Sequence, residues 1–274
     1  MTGLLRVRLG PWLRAQGCAV GQFAGEAQHL WRQCGDQHRR RLHTGWHAGL
    51  LLDAIVHRLS KLLLRYGRVY PGAQAWSGQH ELWLRRQRFD DAHTAAAFNH
   101  HFDAVVSTTG ARDRLDEQIV TIAASPRWAD AVDRLRCLRG ISALTGLALT
   151  VEIGDWTRFT DASIGAYVGL VPCDYSSGAS RVQGSITKAG NAHVRRLLIE
   201  AAWHHRQPYR NPGPTMRARW AKVDPALKAR GHAGNRRLHQ QWCRFTERKK
   251  NPLVANVAIA RELAGWCWSL ATLN

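Results

Sequence analysis

From Leu50 onward apolar side chains recur at helical rather than strand spacing, and that period constrains the fold more than any other feature of the chain. Leu51, Leu52, Ile55, Leu59, Leu62 and Leu63 form one stripe, with Arg58, Lys61 and Arg65 between them and Gly67 as a stop. Pro71-Gly72 marks a turn, and a second helix is expected over residues 79–88. A longer helix follows. Phe98, Phe102, Val105, Leu115, Ile119 and Ile122 keep its apolar seam, Arg112 interrupts it and Ser125-Pro126 ends it. Such length suits a projecting coiled-coil arm and a dimer contact; a core helix of one domain fits the same pattern.

Further helices are expected over residues 128–153 as a pair, then 162–170, 192–206, 216–230, 236–248 and 254–270. Only residues 171–186, rich in Ser and Gly, read as loops or a small β-hairpin. The expected fold class is mainly α, divided into an N-terminal segment 1–50, linker helices and an arm over 51–126, and a compact helical domain over 127–274. Residues 1–50 hold neither period, and poor order is the reading preferred for them. An ordered cap, or a stretch read in an unintended frame, would look similar.

Charge narrows the partner. The chain carries 39 Lys and Arg against 20 Asp and Glu, a net +19. Seventeen of the basic residues lie in 181–250, where Glu200, Asp224 and Glu247 are the only acids, a local net of +14. That asymmetry fits a polyanion, nucleic acid before membrane, whereas a solvated basic surface would thin its acids more evenly. No apolar run approaches the roughly 18 residues of a membrane span. The six cysteines show neither C-x-x-C pairs nor a disulfide framework, so a reducing cytoplasm is expected.

Chemistry concentrates in one stretch. Asp174-Tyr175-Ser176-Ser177-Gly178 sets a hydroxyl on a turn, ten residues before Lys188-Ala189-Gly190-Asn191 and the helix that begins there. Asn191 is a good N-cap, and the amides of the first turn, with Lys188 and Arg195 nearby, make an anion site. Serine needs a base, a metal or an activated leaving group, and no histidine adjoins it in sequence, although His193, His204 and His205 could approach in space. Leu138-Arg139-Gly140-Ile141-Ser142 resembles a helix-hairpin-helix turn, whose amides face a DNA phosphate; an ordinary helix–helix turn would read alike. His239 and Cys243 share a helical face but lack a second ligand pair, and Asp113, Asp116, Asp130 and Asp133 read as solvated helix faces. Of the twelve tryptophans, Trp203, Trp266 and Trp268 sit in apolar patterns that suit core packing better than base stacking.

Taken in order, Arg158-Phe159, the run from Ala166 to Pro172, Ser177-Gly178, Gly184, Thr187 to Asn191 and Arg195-Arg196 resemble the C-terminal domain of the serine-plus-DEDD insertion-sequence transposases. This group is related to Piv-type DNA invertases and includes bridge-RNA-guided recombinases. With the upstream Arg58 to Lys61 segment and the long helix, the resemblance covers residues 55–270. It implies that a serine, Ser177 with Ser176 as close competitor, attacks a DNA phosphodiester and becomes linked to the strand end. Arg181, Lys188, Gly190, Asn191, Arg195, Arg196, Gly140 and Ser142 are then the expected nucleic-acid contacts. DNA is the implied partner, joined by a guide RNA and by a second copy through the helical arm, with no membrane role. The family's metal, normally Mg²⁺, is held by four acids of a RuvC-like domain marked by Gly-Ile-Asp and Thr-Asp-x-x-Asp-Ala. Neither mark occurs here, so no metal is expected on this chain itself, and it resembles a transposase lacking its metal-binding half. The competing expectation is a catalytically inactive, nucleic-acid-binding remnant or subunit.

Overall fold

The leucine seam lies on helix α1 (Asp36–Arg65) of a computed structural model that describes residues 36–174 and 183–273, with side chains from Leu51. The change of pattern at Leu50 falls inside this helix. The chain divides into two units, Met1–Asp36 and Gln37–Asn274. Helix α2 (Gly78–Arg85) starts at Ser77, whose hydroxyl accepts from the His80 amide, and α3 (Ala92–Ala123) starts at Asp91, which accepts from the Thr94 amide at 2.7 Å. Ile55, Leu59 and Leu63 of α1, Leu84 of α2, and Phe98, Phe102 and Val105 of α3 pack into one apolar cluster. Each such side chain contributes about 1.5–3 kcal/mol of burial.

At 32 residues α3 is about 48 Å long. Both its ends are anchored: Phe98, Phe102 and Val105 bury near its start, Ile119 and Ala123 near its end, while no residue from 106 to 118 is fully buried. Arg112, where the seam breaks, pairs with Asp113 at 2.8 Å.

A second core gathers the helices that follow: α4 (Ala129–Leu135), α5 (Ala143–Ile153), α6 (Asp161–Tyr167), α7 (Ala192–Ala202), α8 (Pro214–Trp220), α9 (Pro225–Glu247) and α10 (Pro252–Ala271). The most apolar of the long ones, α10, lies at the centre and packs on α4, α6, α7 and α9. Helix α3 packs on α5, which joins the two cores. Among the described residues the one sheet is the antiparallel pair β1 (Pro172–Asp174) and β2 (Gln183–Ile186), with Pro172 opposite Ile186, Asp174 opposite Gln183 and an irregular register between. The mainly α fold expected from the sequence is thus observed, hairpin included. No described helix is long and apolar enough to cross a membrane.

One boundary differs. The expected break between residues 230 and 236 does not exist: α9 runs through it, and the break comes earlier, at Asp224-Pro225, where the aspartate caps the helix by accepting from the Ala226 amide at 2.7 Å. Gly231 and Gly234, in the stretch expected to separate the two helices, serve close packing. A Cβ on Gly231 would stand 2.7 Å from Cβ of Cys137, and one on Gly234 would stand 2.9 Å from the Trp266 ring. Trp203, Trp266 and Trp268 meet the core expectation. Trp220 and Trp242 are buried, and Trp203, Trp266 and Trp268 are half-buried against the second core.

Candidate functional site

The hairpin, the end of α6 and the start of α7 form one clasp. Main-chain bonds run from Thr187 N to Val171 O at 2.9 Å and from Lys188 N to Gly169 O at 3.1 Å, fixing the second strand over the first. Lys188 adopts φ 56° and Gly190 φ 73° as the chain reverses into α7. A Cβ on Gly190 would overlap the Tyr167 carbonyl oxygen, so the approach itself demands glycine. Arg195 closes the clasp with one terminal nitrogen that donates to Val168 O at 3.0 Å and Ala189 O at 2.9 Å. The guanidinium is half-buried, and this nitrogen serves the fold by meeting two carbonyls within its reach.

Asn191 caps α7 as expected, its Oδ1 accepting from Val194 N at 3.0 Å. Its Nδ2 donates to Glu152 Oε2 at 2.8 Å, and the other carboxylate oxygen of Glu152 lies 3.3 Å from Nδ1 of His193. The side chains of Glu152 and His193 retain 6% and 10% of their exposure. An internal carboxylate therefore stands beside the positive end of α7, where an external phosphate had been expected. Glu152 is the residue of this arrangement that sequence reading missed. Its signal was present: a single acid near the end of the apolar helix Ala143–Ile153. Next to a carboxylate, an imidazole keeps its tautomer and can exchange a proton, the arrangement acid–base chemistry uses.

Of the other expected residues, Arg196 and Lys188 are exposed. Arg196 acts on Asp53 of α1, whose carboxyl is raised by burial and lowered by Arg196 and Arg112. The Gly140 turn is held from behind. A Cβ on Gly140 (φ 82°) would overlap the Ala201 carbonyl, and the Arg139 amide donates to Asn235 Oδ1 at 2.8 Å. Asn235 and Trp220 both donate to the Cys137 carbonyl, and Ser142 caps α5 by accepting from Thr145 N at 3.1 Å. Packing and capping account for both Gly140 and Ser142. Ser176, Ser177 and Arg181 lie outside the described residues, on the stretch that joins β1 to β2.

A divalent metal does not fit the described residues. Asp130 is held by Arg134 at 2.8 Å, Asp133 by Arg136 at 2.9 Å and Asp113 by Arg112, and no three described His, Cys, Asp or Glu side chains converge. His239 Nδ1 lies 3.1 Å from the His205 carbonyl and its Nε2 lies 3.6 Å from Cys243 Sγ, a local pair on α9.

Residues 132–221 match the model of a family described as Transposase IS116/IS110/IS902 family. The matched stretch begins within α4, ends just past α8, and contains the clasp, Glu152 and His193. Over 256 residues the chain is 32% identical to a Sinorhizobium fredii protein named as a transposase, y4qE, taking in 90% of this chain and 61% of that one. It is 28% identical over 203 residues to the transposase for insertion sequence element IS1533 of Leptospira borgpetersenii, covering 72% of this chain and 57% of that protein. A 70-residue stretch is 37% identical to the transposase for insertion sequence element IS1111A of Coxiella burnetii, 25% of this chain and 19% of that one. The chain thus has a stretch of transposase-domain sequence, and spans about three fifths of the length of the first two relatives.

Proposed function

We propose that the chain takes part in DNA transposition and carries the nucleophile of strand transfer, Ser177, on the segment between β1 and β2. The observation that carries this reading is the family match, whose residues 132–221 enclose that hairpin, its clasp and the Glu152–His193 pair. In the proposed step Ser177 Oγ bonds to phosphorus, one phosphodiester P–O bond breaks, and the departing oxygen leaves as a strand-end hydroxyl once protonated. Lys188, Arg196 and Arg181 supply phosphate contacts, with DNA as the polyanion that the +19 charge fits and guide RNA as a second partner. Arg195, Gly190, Asn191, Gly140 and Ser142 support the site from behind. Mg²⁺ and the acids that hold it come from outside the described residues.

A second reading is favoured by the arginine-paired acids: a binding subunit that delivers DNA to a complete transposase and does no chemistry. The test is a denaturing gel of the full chain with labelled DNA from the junctions flanking its gene, in extract of the source cells so that missing acids are supplied. The first reading expects a covalent band in the wild type and in Ser176→Ala, and none in Ser177→Ala. A band that survives Ser177→Ala overturns it. DNA retention on a native gel with no covalent band selects the binding subunit.

A further inference from the structure

Away from the clasp, the loop between α1 and α2 gathers four rings. Tyr70 lies 4.6 Å from His80 and 5.5 Å from Trp83, His80 stacks on Trp83 at 5.6 Å, and Trp76 meets His80 edge-on at 5.0 Å. Trp83 packs against the first core and His80 is buried, so the inner half of the cluster is fixed. The outer half is not covered. Trp76 keeps 39% of its exposure, and Val69 and Leu82, on the same stretch of chain, keep 66% and 49%.

Trp76 is also held in an unfavourable backbone state, φ 60°, which a bulky side chain rarely adopts. Its amide is tied down by donating to Nδ1 of His80 at 3.0 Å, and the His80 amide in turn donates to Ser77 Oγ at 3.3 Å. Burial lowers the pKa of His80, which favours the neutral form that can accept at Nδ1. An exposed ring fixed by strain and by a buried partner is a poor way to build a core. It is a sound way to present a flat apolar face.

The surroundings are cationic. From Arg58 to Phe89 there are seven Lys and Arg and one acid, Glu81, which Arg85 pairs at 2.6 Å. Arg86 follows Trp83 by three residues, about one helical turn, and is exposed. Ring faces beside unpaired positive charge match a strand whose bases are open and whose backbone is anionic. In a duplex the base faces are already covered by their neighbours.

We propose that Trp76, held from behind by Tyr70, His80 and Trp83, is a stacking platform for single-stranded DNA, with Arg86 on the adjacent phosphate. The platform is independent of the chemistry assigned to Ser177. It gives the chain a means of holding a strand unpaired during exchange. Nothing in this set of rings asks for a 2′-hydroxyl, so a DNA strand satisfies it.

The test is fluorescence anisotropy of the full chain with labelled oligo(dT), a duplex of equal length, and oligo(U), across a salt series. Trp76→Ala is expected to weaken oligo(dT) binding about tenfold with an unchanged salt slope, since stacking releases no counterions. Trp76→Phe, which keeps a ring, should restore most of the affinity, and duplex binding should not change. Arg86→Gln should instead lower the salt slope by about 0.7. Unchanged oligo(dT) binding in Trp76→Ala, an equal loss on duplex, or a loss confined to oligo(U) overturns the proposal. A loss that Trp76→Phe does not restore overturns it too.

Discussion

The amide nitrogen of Asn191 donates to Glu152 at 2.8 Å while its oxygen caps α7, so one side chain both starts a helix and fixes a buried carboxylate. The helix terminus, the acid and His193 thereby become one unit, and substitutions at any of the three are felt by the others.

Asn191→Ala removes the cap and a donor to a buried carboxylate, and should cost about 2–3 kcal/mol by urea denaturation. Asn191→Asp is the sharper variant. Aspartate caps an ordinary helix as well as asparagine does, but here it sets a second negative charge against Glu152. It should therefore destabilise more than alanine. Equal stability of the Asn191→Asp variant and the wild type would show that Glu152 is not held as described.

Gly190 and Gly67 both have positive φ, 73° and 65°, but only the first faces a neighbour, the Tyr167 carbonyl. Gly67→Ala should cost only the strain of the left-handed conformation, about 1 kcal/mol. Gly190→Ala should cost at least twice that and open the clasp. Thermal melts of the two variants check this, and equal losses would contradict it.

His205 is fully buried, and burial first, then Arg139 and His204, pulls its pKa down to about 3. The folded form binds fewer protons than the unfolded chain between that value and about 6.5, so stability falls as pH drops through the window and is unaffected above it. The loss should reach ~3 kcal/mol at pH 4. His205→Leu should flatten the curve of stability against pH between 6.5 and 4. An unaltered slope would place the acid sensitivity elsewhere.

Arg195 and Arg196 are neighbours in sequence with different duties. Arg195→Gln should lower the melting temperature, because two carbonyls lose their donor, with little change in the salt dependence of DNA binding. Arg196→Gln should reduce the slope of log affinity against log salt by about 0.9 for duplex DNA. Native gels at several salt concentrations separate the two.

Much of this was legible beforehand, for physical reasons. Helical periodicity reports which face is buried, so the leucine seam of α1, the length of α3 and the hairpin after Val171 could all be read from spacing. Gly231 and Gly234 could not. A glycine that breaks a helix and one that lets a helix approach Cys137 and Trp266 look alike until the neighbour is known. Arg195 and Arg196 were likewise indistinguishable as charges; only the carbonyls of Val168 and Ala189 separate them. Glu152 lies 39 residues before Asn191, and sequence proximity carries no trace of that contact. The contact therefore stayed hidden, although the lone acid and the cap it meets were each plain.

The central claim is that Ser177 becomes bonded to DNA. Its most direct measurement is mass spectrometry of the covalent complex after nuclease trimming and proteolysis, with the residual nucleotide mapped by fragmentation. The expected result is a peptide spanning residues 175–182 with the nucleotide on Ser177. A nucleotide on Ser176, or on any residue outside that segment, would contradict it.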